Sequence, residues 1–250
     1  RLPQQQLRCR PFLSELAKLD ADLFVVVAYG QILTQKLLDI PPFGCINVHA
    51  SLLPKYRGAA PIQRCLLNGE KETGVAIQKM VRQLDAGDVI AVGQIEIPPE
   101  MTFGELEKKL CDLSKPLLLS VLKTYEQGII PAGAGQDHAL ATYASKIKLE
   151  EGEIDWTLPA SQIHNLIRAF SPRPGAWSYV GTNEGKKRLK ILRSEVVSRQ
   201  GAPGELLSAD GVIGCGRDAV KLFEVQLEGK KVMAATDWLR GQKNHSLFQI

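Results

Sequence analysis

The chain has 250 residues, of which 44% are hydrophobic and 23% are charged, a composition typical of a soluble globular enzyme. This length accommodates one large domain or two smaller ones with a substantial core. No apolar run approaches the ~20 residues that span a bilayer. A net charge of +4 is too small to indicate nucleic-acid binding by itself.

The N-terminal residues and the cysteines indicate the cellular compartment. Residues 1–10 are polar, and no small-residue cleavage site follows an apolar stretch, so no signal peptide is predicted. An odd number of cysteines without a CxxC pair argues against a disulfide framework or a zinc site. We therefore expect reduced thiols in a cytoplasmic compartment, either the bacterial cytosol or an organelle matrix. The cysteines are Cys9, Cys45, Cys65, Cys111 and Cys215.

The first part of the chain predicts a pair of parallel strands. Apolar residues at helical spacing predict a short helix over residues 12–19, and the apolar, β-branched run at 23–28 is typical of a strand in a parallel sheet. A second short helix is predicted over 34–38 and a second strand over Cys45–His49. The order strand, helix, strand implies a right-handed crossover between two parallel strands.

The middle of the chain predicts further elements of both kinds. A helix and two strands are predicted at residues 61–68, 74–80 and 89–97. Thr102 and Glu105 have the spacing of a capping box, and the helix that they open has an apolar face as far as Tyr125. Pro116 removes a backbone donor within that helix, so we expect a kink or a break there.

The last part of the chain differs in composition. Residues 128–144 are rich in Gly, Ala, Pro and polar residues without periodicity, which is typical of a linker. After a predicted helix at 159–170, short β segments separated by Gly-rich turns recur at roughly eight-to-twelve-residue spacing, which suggests a small barrel. These segments are 177–180, 189–193, 205–207, 211–215 and 220–226. We predict a catalytic domain over 1–128, a linker over 129–148 and a C-terminal domain over 149–250.

Two polar residues stand at the end of the second predicted strand. Period-two alternation places Asn47 and His49 on one face, together with Cys45. An amide donor and a proton carrier on one face are the minimum equipment for acyl-group chemistry. A lone His near a strand end is more often a hydrogen-bonded structural residue, so the pair alone is a weak signal.

The surrounding sequence is much more specific. Asn-Val-His-Ala-Ser-Leu-Leu-Pro-Lys-Tyr-Arg-Gly-Ala-Ala-Pro-Ile-Gln at 47–63 is followed by Glu-Thr-Gly-Val at 72–75 and Leu-Asp-Ala-Gly-Asp at 84–88. This pattern resembles the folate-dependent formyltransferases, and within them the branch that acts on methionyl-tRNA. Residues 44–88 carry the specific part, and the likeness continues weakly to the C-terminus.

The resemblance implies both a fold and a reaction. The fold is α/β, with a Rossmann-like, mostly parallel sheet in the formyltransferase domain and a small OB-like β-barrel after it. The reaction moves a formyl group from 10-formyltetrahydrofolate to the amino group of methionyl-tRNA, the initiator tRNA, for translation initiation. Neither a metal nor a membrane is implied, and we expect a monomer.

The chain departs from the family at its beginning. The family's catalytic domain opens with a full βαβ unit and a basic, Gly-containing loop before the strand at 23–28, and this chain begins too late to contain all of it. We therefore expect a catalytic domain truncated at its start, with an apolar side of the sheet partly uncovered.

The resemblance gives three residues catalytic roles. Formyl transfer passes through a tetrahedral intermediate with an oxyanion, for which Asn47 can supply an N–H donor. His49 can move a proton between the two nitrogens, and Asp85 can hold the imidazolium. The alternative for Asp85 is a turn residue, since Asp and Gly are common in turns.

Folate contacts are implied for the loops that follow the strands, where α/β sheets bind ligands. Gly58 is expected to allow a close approach or a positive φ, and Arg57 binds either a phosphate or glutamate tail or an exposed partner charge. The residues assigned to the folate are Tyr29, Gly30, Ile32, Leu33, Ser51, Leu52, Leu53, Pro54, Gly58, Leu84, Ala86, Gly87 and Asp88.

The positive charge leans toward residues 151–250, where one basic run stands out. This run is either an RNA phosphate contact or a solvated strand end. It consists of Lys186, Lys187, Arg188 and Lys190.

Other functions remain open from the sequence. The same site suits a formyltransferase for an amino-sugar nucleotide or another small amine, or a formyl-folate hydrolase, and a decayed RNA-binding module is a further alternative. No Gly-x-Ser-x-Gly elbow supports a Ser51 nucleophile, and no P-loop or GxGxxG indicates a nucleotide cofactor. His138, His164 and His245 lack ligand spacing and are expected at the surface or in helices.

Overall fold

The computed structural model of the chain describes residues 10–182, 185–241 and 248. The polar start of the chain, Cys9 and His245 lie outside these residues. In chain order, the elements are α1 (Arg10–Ala17), β1 (Phe24–Val27), α2 (Gln35–Leu38), β2 (Cys45–His49), β3 (Arg57–Gly58), α3 (Pro61–Leu67), β4 (Glu72–Lys79), β5 (Val89–Glu96), α4 (Phe103–Glu126), β6 (Tyr143–Ala144), α5 (Ala160–Phe170), β7 (Ala176–Thr182), β8 (Gly185–Val197), β9 (Leu206–Ser208), β10 (Val212–Gly214), β11 (Ala219–Leu227), β12 (Met233–Ala234) and α6 (Ala235–Arg240).

The chain divides into two compact units that interleave along the sequence. The first contains the described residues up to Pro61, together with 72–96 and 108–146. The second contains 62–71, 97–107 and the described residues from Ile147 onward. Two short segments from the first half of the chain thus belong to the second unit, and residues 129–146 of the predicted linker belong to the first. The predicted domain boundaries at 128 and 148 stay predictions.

The first unit contains a four-stranded sheet in the order β1-β2-β4-β5. The predicted parallel pair is confirmed, with Phe24 opposite Cys45 in the ladder between β1 and β2. The ladders between β2 and β4 and between β4 and β5 are antiparallel. Within the described residues the sheet is therefore mixed, and the prediction of a mostly parallel sheet is wrong there. The loop between β4 and β5 is shorter than the crossover of a dozen or more residues that a parallel pair needs.

One side of this sheet packs against the two short N-terminal helices. Leu33, Leu37, Leu38 and Cys45 form a buried cluster, and partly buried apolar residues of α1 pack against it. Thr34 caps α2 by accepting a hydrogen bond from the N–H of Leu37. This packing holds β2, and with it the polar residues at its end.

Helix α4 begins as predicted and continues through Pro116 to Glu126. Glu105 accepts hydrogen bonds from both the N–H and the hydroxyl of Thr102, and its own N–H donates back to Thr102 Oγ1, so the capping box is confirmed. Pro116 lies inside one continuous helix and does not break it. Leu110 and Val121, on either side of Pro116, are both buried, and their burial offsets one missing backbone hydrogen bond.

The second unit contains an antiparallel sheet in the order β7-β8-β11-β10-β9, with β12 paired to β11. Each predicted β segment of this part corresponds to a strand. The described ladders form an open path without a pairing of β7 with β9, so the OB-like closed barrel is not confirmed. Helix α5 buries Ile163, Ile167 and Phe170, and the indole N–H of Trp156 donates to Ser178 Oγ over 3.0 Å.

None of the helices in the described residues is long and apolar enough to cross a membrane. In the same parts of the chain, no cluster of three or more His, Cys, Asp or Glu side chains could hold a metal ion.

Candidate active site

The structure brings Asn47, His49 and Asp85 together. Strand β2 places Asn47 and His49 on one face, and the loop between β4 and β5 carries Asp85 to them. The Nδ2 of Asn47 donates to Asp85 Oδ1 over 3.4 Å, and the Nδ1 of His49 lies 3.7 Å from Asp85 Oδ2. A strand motif and a loop acid far apart in sequence therefore form one site within the first unit.

Asp85 is held by donors from two further segments. Gln78 Nε2 donates to Oδ1 over 2.9 Å, and the backbone N–H of Gly58 donates to Oδ2 over 2.8 Å. The backbone of Asp85 has a φ of +46°, in the left-handed region that Asp tolerates better than most residues. These contacts fix the carboxylate against the other two side chains.

Gly58 is required by its surroundings as well as by its backbone. Its φ is +119°, and a Cβ at this position would lie 2.7 Å from the carbonyl oxygen of Ala144. The expected positive φ and close approach are both present. Only a glycine lets β3 pair with β6 and present an N–H to Asp85.

The environment of His49 defines its tautomer. The side chain is 5% exposed, and Nε2 lies 2.9 Å from the carbonyl oxygen of Tyr56. Because a carbonyl only accepts, Nε2 carries the proton and donates it. Nδ1 is then the nitrogen that can take up a proton, and it faces Asp85.

Two side chains near this site are poor nucleophiles. Burial, followed by the charge of Asp39, raises the pKa of the Cys45 thiol to about 11, so the thiol stays protonated at neutral pH. The Ser51 side chain is fully buried, and its hydroxyl donates to the carbonyl of Lys55 over 2.7 Å, which stabilises its own loop.

Arg57 is buried rather than paired at the surface. Its side chain is 1% exposed. Nε and Nη2 donate to Gln136 Oε1 over 3.1 and 2.7 Å, and both Nη atoms donate to His138 Nδ1 over 3.2 Å. The alternative of an exposed ion pair is therefore wrong, because the guanidinium lies within the protein with neutral partners.

Gln78 and Gln136 also belong to the site, although neither was predicted from the sequence. Gln78 lies opposite Asn47 in the β2–β4 ladder, a register that no local pattern reveals. Gln136 lies in the segment predicted as a linker, although its Nε2 donates to the carbonyls of Asp85 and Gly87. The sequence did show Gln78 as a polar residue within the strand predicted at 74–80, but it did not show which residue Gln78 would contact.

The residues assigned to the folate differ in exposure. Leu33 belongs to the buried core cluster, and Tyr29 packs against that cluster. Leu33 therefore packs in the core. Ile32 and Leu84 are 61% and 49% exposed and are accessible to a ligand. The other assigned residues are exposed (Gly30, Asp88), half-buried (Leu52, Leu53, Pro54, Gly58, Ala86) or buried (Ser51, Gly87). Folate contact stays a prediction for all of them.

The basic run lies on β8 in the second unit, and its members face two ways. Arg188 lies opposite Tyr179 in the β7–β8 ladder, and Lys187 lies opposite Val180, on the other face. Lys186 Nζ stands 4.2 Å from the centre of the Tyr179 ring, and the guanidinium of Arg188 stands 4.3 Å from that of Trp177. Lys186, Arg188 and Lys190 thus share one aromatic face, which we call the basic face.

Comparison with known proteins decides the family. A family model described as formyl transferase matches residues 2–122, and one described as formyl transferase, C-terminal domain, matches 146–243. The methionyl-tRNA formyltransferase of Protochlamydia amoebophila is 51% identical over 240 residues, which cover 94% of this chain and 75% of the relative. The chain belongs to the methionyl-tRNA formyltransferase family. The resemblance seen in the sequence is confirmed.

A further relative supports the family, and a solved structure has a similar fold. The enzyme of Methylobacterium sp. (strain 4-46) is 44% identical over 223 residues, covering 89% of this chain and 72% of the relative. A solved structure of HypX from Aquifex aeolicus in complex with tetrahydrofolic acid has a TM-score of 0.70 at 18% identity, over 96% of this chain and 45% of that protein. The second similarity concerns the fold alone.

Proposed function

We propose that this chain transfers the formyl group of 10-formyltetrahydrofolate to the amino group of methionyl-tRNA for translation initiation. The convergence of Asn47, His49 and Asp85 carries the proposal. Relatives that are 42–51% identical over most of the chain are methionyl-tRNA formyltransferases, which favours this acceptor over an amino-sugar nucleotide or water. The relatives are bacterial, so we place the reaction in the bacterial cytosol, with the chain acting as a monomer.

In the proposed mechanism, the amino nitrogen attacks the formyl carbon and the oxygen becomes an oxyanion. Asn47 Nδ2 carries two hydrogens, one directed at Asp85 and one left for the oxyanion. Such a donor in a preorganised site contributes about 3 kcal/mol to transition-state stabilisation.

Proton transfer completes the reaction. His49 takes the proton that the attacking amine loses, and Nδ1 is the nitrogen free to accept it. Asp85, 3.7 Å away, stabilises the imidazolium that forms. The same proton then passes to the folate nitrogen as its bond to the formyl carbon breaks. The amine ends as a formamide and the folate as tetrahydrofolate, without a metal.

Binding of the two substrates is divided between the units in this proposal. The loops around Gly30, Pro54 and Asp88 hold the folate beside the catalytic residues. In the second unit, the basic face takes RNA phosphates, with Lys187 on the opposite face as a weaker contributor. Backbone-directed binding of this kind releases counterions, so RNA binding should weaken as the salt concentration rises.

A comparison of acceptors tests the proposed function. The chain is incubated with 10-formyltetrahydrofolate and, in parallel, methionyl-tRNA, an amino-sugar nucleotide or buffer alone. We expect formylmethionyl-tRNA to form at least about a hundredfold faster than the other products, because general acid–base catalysis contributes ~10²–10⁴ only for a correctly positioned amine. Preferential formylation of the sugar, or release of formate in every reaction, would contradict the proposal.

A further inference from the structure

We propose that Gln136 is a positioning residue for formyl transfer, which it supports by holding the loop at 84–88 so that Asp85 meets His49 and Asn47. The inference rests on the proposed function for its kinetic part. Gln136 acts through this loop, together with Arg57 and His138.

The amide of Gln136 ties the loop to the rest of the first unit. Its Nε2 donates to the carbonyl of Asp85 over 2.9 Å and to that of Gly87 over 2.7 Å. A longer contact of 3.4 Å reaches Gln78 Oε1, beside the same carboxylate. The two hydrogens of one amide nitrogen therefore hold the loop on both sides of Ala86.

The orientation of that amide is set by Arg57. A guanidinium has only donors, so the atom of Gln136 that faces Arg57 is the oxygen, and the nitrogen must face the loop. The same reasoning applies to His138, whose Nδ1 accepts from Arg57 and whose proton therefore lies on Nε2. Arg57, Gln136 and the loop form one chain of directed hydrogen bonds.

Arg57 is unusual because its charged side chain is buried without an ion pair among the described residues. Its side chain is among the largest that are fully buried, and no ion pair within 4.0 Å involves it in the described parts of the chain. A buried charge without a counter-ion is costly unless its donors are all used. Here each of the three guanidinium nitrogens donates to Gln136 or His138, which favours a role that needs a rigid support at this place.

The loop needs such support because it is held by few bonds of its own. Asp85 has a φ of +46°, a conformation that persists only when its surroundings impose it. The Lys79 N–H donates to the Asp88 carbonyl over 2.9 Å at the end of the loop, but the backbone bond nearest Asp85, from the Ala86 N–H to the Gln83 carbonyl, is long at 3.4 Å. Misplacement of a catalytic group by about 1 Å can cost about a hundredfold in rate.

The first test separates positioning from general stability. Gln136→Met removes both hydrogen-bonding ends, and Gln136→Glu keeps an acceptor for Arg57 but removes the donor to the loop. Gln94→Met is the matched control, because Gln94 makes an exposed hydrogen bond with Glu72 in the same sheet. We expect kcat to fall about ten- to a hundredfold in both Gln136 variants, with KM for either substrate within about threefold and Gln94→Met unchanged.

A double variant tests whether Gln136 works through Asp85. If it does, adding Gln136→Met to Asp85→Asn lowers kcat by less than about twofold further, since both changes remove one function. Losses that multiply, or a kcat in Gln136→Met within about twofold of the starting protein, would overturn the inference. An inactive starting protein would instead contradict the proposed function.

A second measurement does not depend on activity. Arg82 is exposed just before the loop, so trypsin cleavage after Arg82 reports on loop opening. We expect cleavage to be at least about tenfold faster in both Gln136 variants and unchanged in Gln94→Met. Equal rates in all four proteins would overturn the positioning role even if no acceptor were formylated.

Discussion

Asn47 and Gln78 lie opposite each other in the antiparallel pair of β2 and β4, and their amide nitrogens converge on the same oxygen of Asp85. The two amide side chains differ in burial and in the length of this hydrogen bond. Gln78 is almost fully buried and donates at 2.9 Å, so it anchors the carboxylate. Asn47 is half-buried and donates at 3.4 Å, which leaves it able to turn toward a substrate. Asp85 thus accepts one tight hydrogen bond, from Gln78, and one longer hydrogen bond, from Asn47.

The proton-transfer pair can be tested by removing either member. His49→Ala and Asp85→Asn should each lower kcat for formyl transfer by two orders of magnitude or more, because general acid–base catalysis contributes ~10²–10⁴. Thermal denaturation of both variants should show a folded protein. Full activity in folded His49→Ala would remove this residue from the mechanism.

The role of Asn47 can be separated from folate binding. Asn47→Asp replaces the donor by an acceptor and places a second carboxylate beside Asp85, so Asn47→Leu is needed as a neutral counterpart. Both should lower kcat, the Leu variant by about 3 kcal/mol of transition-state stabilisation, with folate affinity changed much less. Normal turnover at saturation combined with weak folate binding would make Asn47 a binding residue instead.

The ion pair between Arg64 and Glu151 predicts a pH-dependent stability in the second unit. The hydrogen bond from Arg64, at 2.6 Å, is the main reason why the pKa of Glu151 lies below its usual value. A carboxyl with a lowered pKa in the folded state adds stability above its unfolded pKa, and this is lost as the pH falls through the folded pKa. Urea unfolding of Glu151→Gln should show a loss of about 0.5–1 kcal/mol at pH 7.

The same variant provides its own control at low pH. Below its lowered pKa, the Glu151 carboxyl of the original protein is protonated and is as neutral as the Gln side chain of the variant. The two unfolding curves should therefore approach each other as the pH falls below about 4.5. A stability difference that is independent of pH would show that packing, and not charge, is responsible.

RNA binding by the basic face predicts a change in salt dependence. Replacing Lys186, Arg188 and Lys190 by Gln should weaken tRNA binding. It should also flatten the dependence of log affinity on log salt, by about one unit for each RNA phosphate that these side chains no longer neutralise. A control of equal charge change uses Gln to replace Arg199, Arg217 and Arg240, which are exposed residues of the second unit outside the basic face. An effect of the same size in both triple variants would indicate net charge rather than this face.

The family and its chemistry could be predicted from the sequence because the signals are local. The period of β2 places Asn47 and His49 on one face, and the Leu-Asp-Ala-Gly-Asp pattern marks the acid at Asp85. The parallel pairing of β1 with β2 also follows from the order of neighbouring elements. These properties depend on residues a few positions apart or on connections of known handedness.

The support of the site was decided only by the tertiary structure. The antiparallel register that brings Gln78 to Asn47, and the return of residues 136–144 to pair with Arg57 and Gly58, join segments that are far apart in sequence. Hydrogen bonds between such segments depend on how the chain closes, and no spacing or periodicity encodes their partners. The sequence therefore could not show that Arg57 is buried against Gln136. It also could not show that a segment predicted as a linker contributes to the site.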